Sequence, residues 1–101
     1  MQYKRGYVYI LTTKNHRVLY IGVTSDLYSR VYQHRNHTYK DSFTDRYNVE
    51  KLVYYEDFSQ IENAIAREKE IKKWRKEKKL QLIHEKNPAW NDLWEEVQHW
   101  F

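Results

Sequence analysis

The sequence predicts an α+β fold: a three-stranded antiparallel sheet flanked by helices, in the order β-β-α-β-α-α. Three observations carry that reading. Two short runs rich in aromatic and β-branched residues, GYVYILTT (6–13) and RVLYIGV (17–23), flank the polar break Lys14-Asn15-His16. Such runs read as strands, and a short polar connection joins them as an antiparallel hairpin. A third run, Val49 to Glu56, alternates weakly around Leu52, Val53, Tyr54 and Tyr55. Between and after these runs the apolar residues recur at helical spacing.

The elements follow in order. Gly22, inside the second strand, signals a bulge or a close backbone approach. Thr24-Ser25-Asp26 supplies N-cap residues for a first helix. Leu27, Val31 and Tyr28 are spaced to face its core, and Arg30 and His34 stand one above the other four residues apart. The segment Asn36 to Tyr47 is polar and irregular and reads as a loop. Ser59-Gln60-Ile61-Glu62 is a capping box that starts the next helix. Ile61, Ala64, Ile65, Ile71 and Trp74 mark its buried stripe. The pattern runs to about Lys86, with Trp74-Arg75 a candidate break before a helix carrying Leu80, Ile83 and His84. Asn87-Pro88 ends it, because the residue before proline disfavours the α region. Asn91 is placed to cap a last short helix with Trp94 and Val97.

The chain has 101 residues, which fits one domain spanning 1–101. It has no cysteine. That excludes a disulfide framework or disulfide-linked partner, a thiolate metal site and a cysteine nucleophile. No apolar run approaches the roughly 18–20 residues of a membrane span. The opening Met1-Gln2-Tyr3-Lys4-Arg5 is not followed by a signal-peptide core, so a cytoplasmic protein is expected. Ten tyrosines must finish a core short of aliphatics. Trp74, Trp90, Trp94 and Trp100 are expected to close that core rather than stack bases.

Charge is concentrated. The net charge is +4, yet the stretch from Arg67 to Lys86 alone carries nine Lys/Arg against four Glu. A localised basic stretch fits a polyanion such as nucleic acid, or simply a solvated helical face. Lys72, Lys73, Arg75, Lys76, Lys78 and Lys79 are its candidate phosphate contacts, which position a backbone without reading sequence. His34 and His37 are three apart, but no third ligand accompanies them.

Specific chemistry enters at the strands. Tyr7-Val8-Tyr9, followed eleven residues after Tyr9 by Tyr20-Ile21-Gly22, resembles the paired motifs of the GIY-YIG endonuclease superfamily. Arg30 and His34 fall at the positions of its helix arginine and the His or Tyr that follows. Glu68, in Ala66-Arg67-Glu68-Lys69, matches the single acidic metal ligand, and Asn87 resembles the C-terminal asparagine. The resemblance runs from about Gly6 to Leu93 and is greatest with the small stand-alone bacterial members. One departure is plain: Tyr7 stands where the first motif has glycine, and Gly6 is displaced by one position.

The resemblance implies a metal-dependent endonuclease acting on DNA, structure-directed and with little sequence specificity. It implies one Mg²⁺ or Mn²⁺ held by Glu68 with water, since magnesium needs few protein carboxylates. Arg30 would bridge phosphate oxygens, Tyr20 would orient or deprotonate the attacking water, Tyr9 would support it, and His34 would relay the proton. Gly22 and Asn87 would serve structure and DNA positioning. Each residue also has a plainer reading. Tyr9 and Tyr20 could be core tyrosines, Glu68 could pair with Lys72 at i,i+4, and Asn87 could be a helix stop. A non-catalytic nucleic-acid-binding module on the same scaffold is the alternative.

Overall fold

A computed structural model of the chain describes residues 4–100. The first three residues, part of the stretch read above for a leader, and residue 101 lie outside the described residues. Strand β1 (Gly6–Thr12) pairs antiparallel with β2 (Leu19–Thr24) on one side and with β3 (Lys51–Phe58) on the other, giving the order β2-β1-β3. Helix α1 (Leu27–Arg35) follows β2, α2 (Phe43–Tyr47) precedes β3, and α3 (Ile61–Lys72), α4 (Lys76–Lys86) and α5 (Trp94–Val97) follow it. A single 3-10 turn, Gln98–Trp100, closes the described chain.

The central strand is apolar on both sides because helices cover both. On one face Val8, Ile10, Ile21 and Val53 pack with Ala64 and Ile71 of α3 and Ile83 of α4. On the other, Tyr9, Leu11 and Leu52 pack with Leu27 and Val31 of α1 and with Val97 of α5. The layer order is helix, sheet, helix.

Two sequence expectations about glycine resolve differently. The bulge lies between β1 and β3, where Ile10 faces Tyr54 and Leu11 faces Leu52, so that Val53 is the extra residue. Gly22 instead serves close approach: a Cβ there would sit 2.4 Å from the Tyr9 ring. Gly6 has the same duty toward α3, where a Cβ would lie 2.7 Å from Ile61 Cα. The glycine displaced from the first motif thus lets the helix lie directly on the strand.

Several boundaries are corrected. The segment from 36 to 47 is not wholly a loop: Ser42 accepts from the Asp45 backbone N–H and caps α2, which ends at Asn48 in the left-handed region with φ 53°. Strand β3 starts at Lys51, because the Val49 N–H is spent on the Thr44 carbonyl that closes α2. The capping box does not form. Gln60 is the cap residue and its side chain makes no cap bond. The Ile61 N–H donates instead to the Lys4 carbonyl at 2.9 Å, so the incoming chain satisfies the helix end. Ile65 is exposed rather than buried, and His84 is exposed too. The break at Trp74-Arg75 is real. The last helix takes its side-chain bond from Asp92, whose Oδ1 accepts from the Trp94 N–H at 3.1 Å, not from Asn91.

Three of the four tryptophans close the core, and Trp100 is exposed instead. Trp74 and Trp90 pack against the first cluster and Trp94 against the second, while Trp100 lies on Tyr7 and Tyr55 at 5.8 and 5.6 Å.

Candidate active site

Tyr9 lies in the middle of β1, directly opposite Gly22 of β2. The missing side chain at Gly22 lets the Tyr9 ring lie across the second strand toward Tyr20, with ring centroids 6.3 Å apart. Tyr20 and Gly22 are two apart on the same face of β2. Above them runs α1, capped by Asp26, whose carboxylate accepts from the Ser29 N–H. That cap fixes the phase that presents Arg30 and His34 to the phenols.

His34 is the hub. Its Nε2 lies 3.1 Å from the Tyr9 hydroxyl and its Nδ1 lies 2.9 Å from Thr44 Oγ1. The Tyr20 ring meets the imidazole edge-on at 5.4 Å. Burial, then the Arg30 charge, lowers the His34 pKa to about 4, so the ring is neutral at physiological pH. Burial, then the neighbouring Tyr20, raises the Tyr9 pKa, so Tyr9 keeps its proton; Arg30 acts the other way. A Tyr9 O–H donating to Nε2 leaves Nδ1–H to donate to Thr44. Arg30 itself is held charged: burial opposes the charge, but the Tyr9, Tyr20 and Tyr39 hydroxyls outweigh it.

These groups open onto a cleft of about 200 Å³, with Tyr20, Arg30 and His34 on one side and Tyr39, Phe43 and Thr44 on the other. Arg30 lies over the Tyr39 ring at 5.1 Å and Phe43 stacks with Tyr20 at 6.2 Å. Tyr9 is 1% exposed and acts only through its neighbours. The far wall was not found by sequence reasoning, which treated its segment as an irregular loop. Its signal was Ser42 followed by Asp45, the spacing of an N-cap.

The remaining site residues do not line this cleft. Glu68 belongs to α3, the layer on the opposite sheet face, and its carboxylate pairs with Lys72 Nζ at 3.1 Å. Among the described residues no hydrogen bond or ion pair joins Glu68 to Tyr20, Arg30 or His34, and no three His, Cys, Asp or Glu cluster as a metal site. A single hard carboxylate that leaves room for water nevertheless suits Mg²⁺ or Mn²⁺ by donor chemistry. Asn87 is buried and structural. Its Nδ2 donates to the Val53 and Asn91 carbonyls at 3.0 and 2.9 Å, and its Oδ1 accepts from the Asn91 N–H at 3.0 Å. Of the basic stretch, Lys76 Nζ donates to the Arg17 carbonyl at 2.8 Å and Lys78 lies over Trp74 at 4.2 Å. Lys73 and Arg75 are exposed and Lys79 is partly buried.

Against known families, residues 5–81 match the GIY-YIG catalytic domain. The chain belongs to the GIY-YIG family. That makes it a nuclease-family member. A UPF0213 protein of Syntrophus aciditrophicus (strain SB) is 34% identical over 84 residues, covering 83% of this chain and 94% of its own. A UPF0213 protein of Clostridium perfringens is 41% identical over 81% of this chain and 86% of its own. One from Haloquadratum walsbyi is 38% identical over 78% and 86%. The comparison with solved structures gives no match. Tyr9, Tyr20, Arg30, His34 and Glu68 fall within the GIY-YIG span, and Asn87 lies beyond it.

Proposed function

We propose that the chain is a metal-dependent endonuclease that hydrolyses DNA phosphodiester bonds, directed by DNA structure more than by sequence. The observation that carries this reading is the convergence of Tyr20, Arg30 and His34 on one cleft. A phosphate seated there meets the planar Arg30 fork, which pairs with two phosphate oxygens. Tyr20 faces the same space and orients the attacking water. The neutral His34 has an acceptor nitrogen toward Tyr9 and a donor toward Thr44, so a proton would be relayed along this hydroxyl–imidazole–hydroxyl chain only with each group passing one proton on as it receives another. Glu68 would hold the divalent ion, Mg²⁺ or Mn²⁺, which would supply Lewis-acid stabilisation of the phosphate and the leaving oxygen. The Lys72 ammonium would have to release the Glu68 carboxylate for this. The cytoplasm is the compartment this reading assigns.

One observation favours a second reading. Glu68 is engaged by Lys72 and does not line the cleft, as in a module that binds nucleic acid without cutting it. Incubating the chain with Mg²⁺ or Mn²⁺ and nicked, branched, single-stranded and duplex DNA separates the two. The endonuclease reading expects cleavage that falls at least about 100-fold in Arg30→Ala, the scale of a lost transition-state donor, and equally in Glu68→Ala. Salt-sensitive binding that survives Glu68→Ala with no cleavage of any substrate would establish the second reading instead.

A further inference from the structure

A second cleft, of about 690 Å³, opens at the loop end of the β1–β2 hairpin, lined in part by Lys14, Arg17, Arg35, Glu50, Lys51 and Asp92. Its two carboxylates are already matched. Arg35 holds Asp92 at 2.8 Å and His37 holds Glu50. Lys51 Nζ rests on His16 Nε2 at 2.9 Å, and among the described residues neither Lys14 nor Arg17 has an ion-pair partner. The cleft therefore carries surplus positive charge and suits a polyanion.

The wall between the two clefts is α2. Phe43 lines the catalytic cleft and Tyr47, one turn on, lines the basic one. Their rings stand 4.9 Å apart, and Phe43 continues the stack onto Tyr20. Both are about half exposed, at 47% and 55%, in a chain otherwise short of apolar side chains to bury. Exposed rings flanked by unpaired cations are the arrangement that holds unpaired nucleotides: bases stack on the rings and phosphates meet the cations.

We propose that Phe43 and Tyr47 form a base-stacking ridge that leads an unpaired DNA strand from the catalytic cleft into the basic cleft, where Lys14 and Arg17 hold its phosphates. A base lying on this ridge is out of any duplex, so the strand at the cleft mouth is single. Stacking tolerates any base, which fits a domain that reads little sequence. The inference rests on the endonuclease reading for the direction of the path, but the ridge is measurable without cleavage.

The test is metal-free fluorescence anisotropy with a short labelled single strand and with the same strand carrying abasic sites. The Phe43→Leu/Tyr47→Leu chain should bind the intact strand at least about fivefold more weakly, the lower end for one stacked base, and bind the abasic strand as the unaltered chain does. Lys14→Ala/Arg17→Ala should flatten the log–log salt dependence by roughly 1.4, two single-strand phosphate contacts. It should also cost more affinity than Lys78→Ala/Lys79→Ala. Tyr47→Leu alone, at the more exposed ring, serves if the double variant fails to fold. Equal binding by the unaltered and ridge-altered chains, or equal affinity of the unaltered chain for intact and abasic strands, overturns the ridge. So does a greater loss at Lys78 and Lys79 than at Lys14 and Arg17. A chain that shows the expected binding and cuts nothing overturns the endonuclease reading and leaves the ridge standing. Unchanged cleavage of single strands by the ridge variant does the reverse.

Discussion

His34 shows how one residue's surroundings set its chemistry. In a helix surface pattern it is simply the neighbour of Arg30. In the fold it is 5% exposed, bonded at both ring nitrogens and next to a guanidinium. Its pKa of about 4 lies below the ordinary value of 6.5, so between those values the unfolded chain binds more protons than the folded one. Its contribution to stability is complete above pH 6.5 and is lost as pH falls toward 4. Three residues on, His37 behaves oppositely. Hydrogen bonds that it donates to Glu50 and Asp45 raise its pKa, so its contribution is complete below 6.5 and is lost as pH rises through the elevated value. NMR titration should therefore find His34 neutral at pH 5.5 and His37 still charged above 6.5. A His34 that titrates at 6.5 would mean that the ring is open to water rather than buried between Tyr9 and Thr44.

At the scale of elements, α2 decides the site. Five residues cannot display a helical apolar period, and an isolated helix of that length does not form in water. Its existence depends on the Ser42 cap, the left-handed Asn48 and packing against Tyr20. A polar segment of this length therefore reads as loop even with a readable cap. The element supplies Thr44, the partner of His34 Nδ1. Thr44→Val keeps the shape and removes the hydroxyl. It should destabilise the chain by about 1–3 kcal/mol, the cost of a stranded buried group, and leave the His34 tautomer unfixed in ¹⁵N spectra. DNA cleavage should fall in the same variant. An unaltered tautomer would show that Tyr9 alone orients the ring.

At the scale of the molecule, two helical layers must stay in register with one sheet. Gly6 sets the approach of α3, and Arg67 ties that helix to Glu56 of β3 at 3.2 Å. Asn87 joins the end of α4 to β3 and to the turn that leads into α5. Replacing Asn87 with Ala releases the Val53 carbonyl and the Asn91 N–H together. Calorimetry should show a lowered Tm and a loss of about 1–3 kcal/mol, the cost of the buried Val53 carbonyl left unpaired, since the Asn91 N–H can turn to water. A smaller loss with reduced DNA binding would instead assign Asn87 to the substrate.

The sequence by itself determined the three strands, their antiparallel pairing, the cap of α1 and the break before α4, and its resemblance to a known family singled out Tyr9, Tyr20, Arg30 and His34. The elements rest on local chemistry: alternation, capping residues and the i,i+4 geometry of one helix. Only the tertiary structure decided that Tyr9 is sealed while Tyr20 faces the cleft. It alone brought Ser42 to Tyr47 over the site and placed Glu68 in the other layer beside Lys72. Those outcomes depend on contacts between residues far apart in the chain and on which face each strand turns to which helix. No local pattern encodes them, because the same phenol, hydroxyl or carboxylate fits either side of a sheet until packing chooses one.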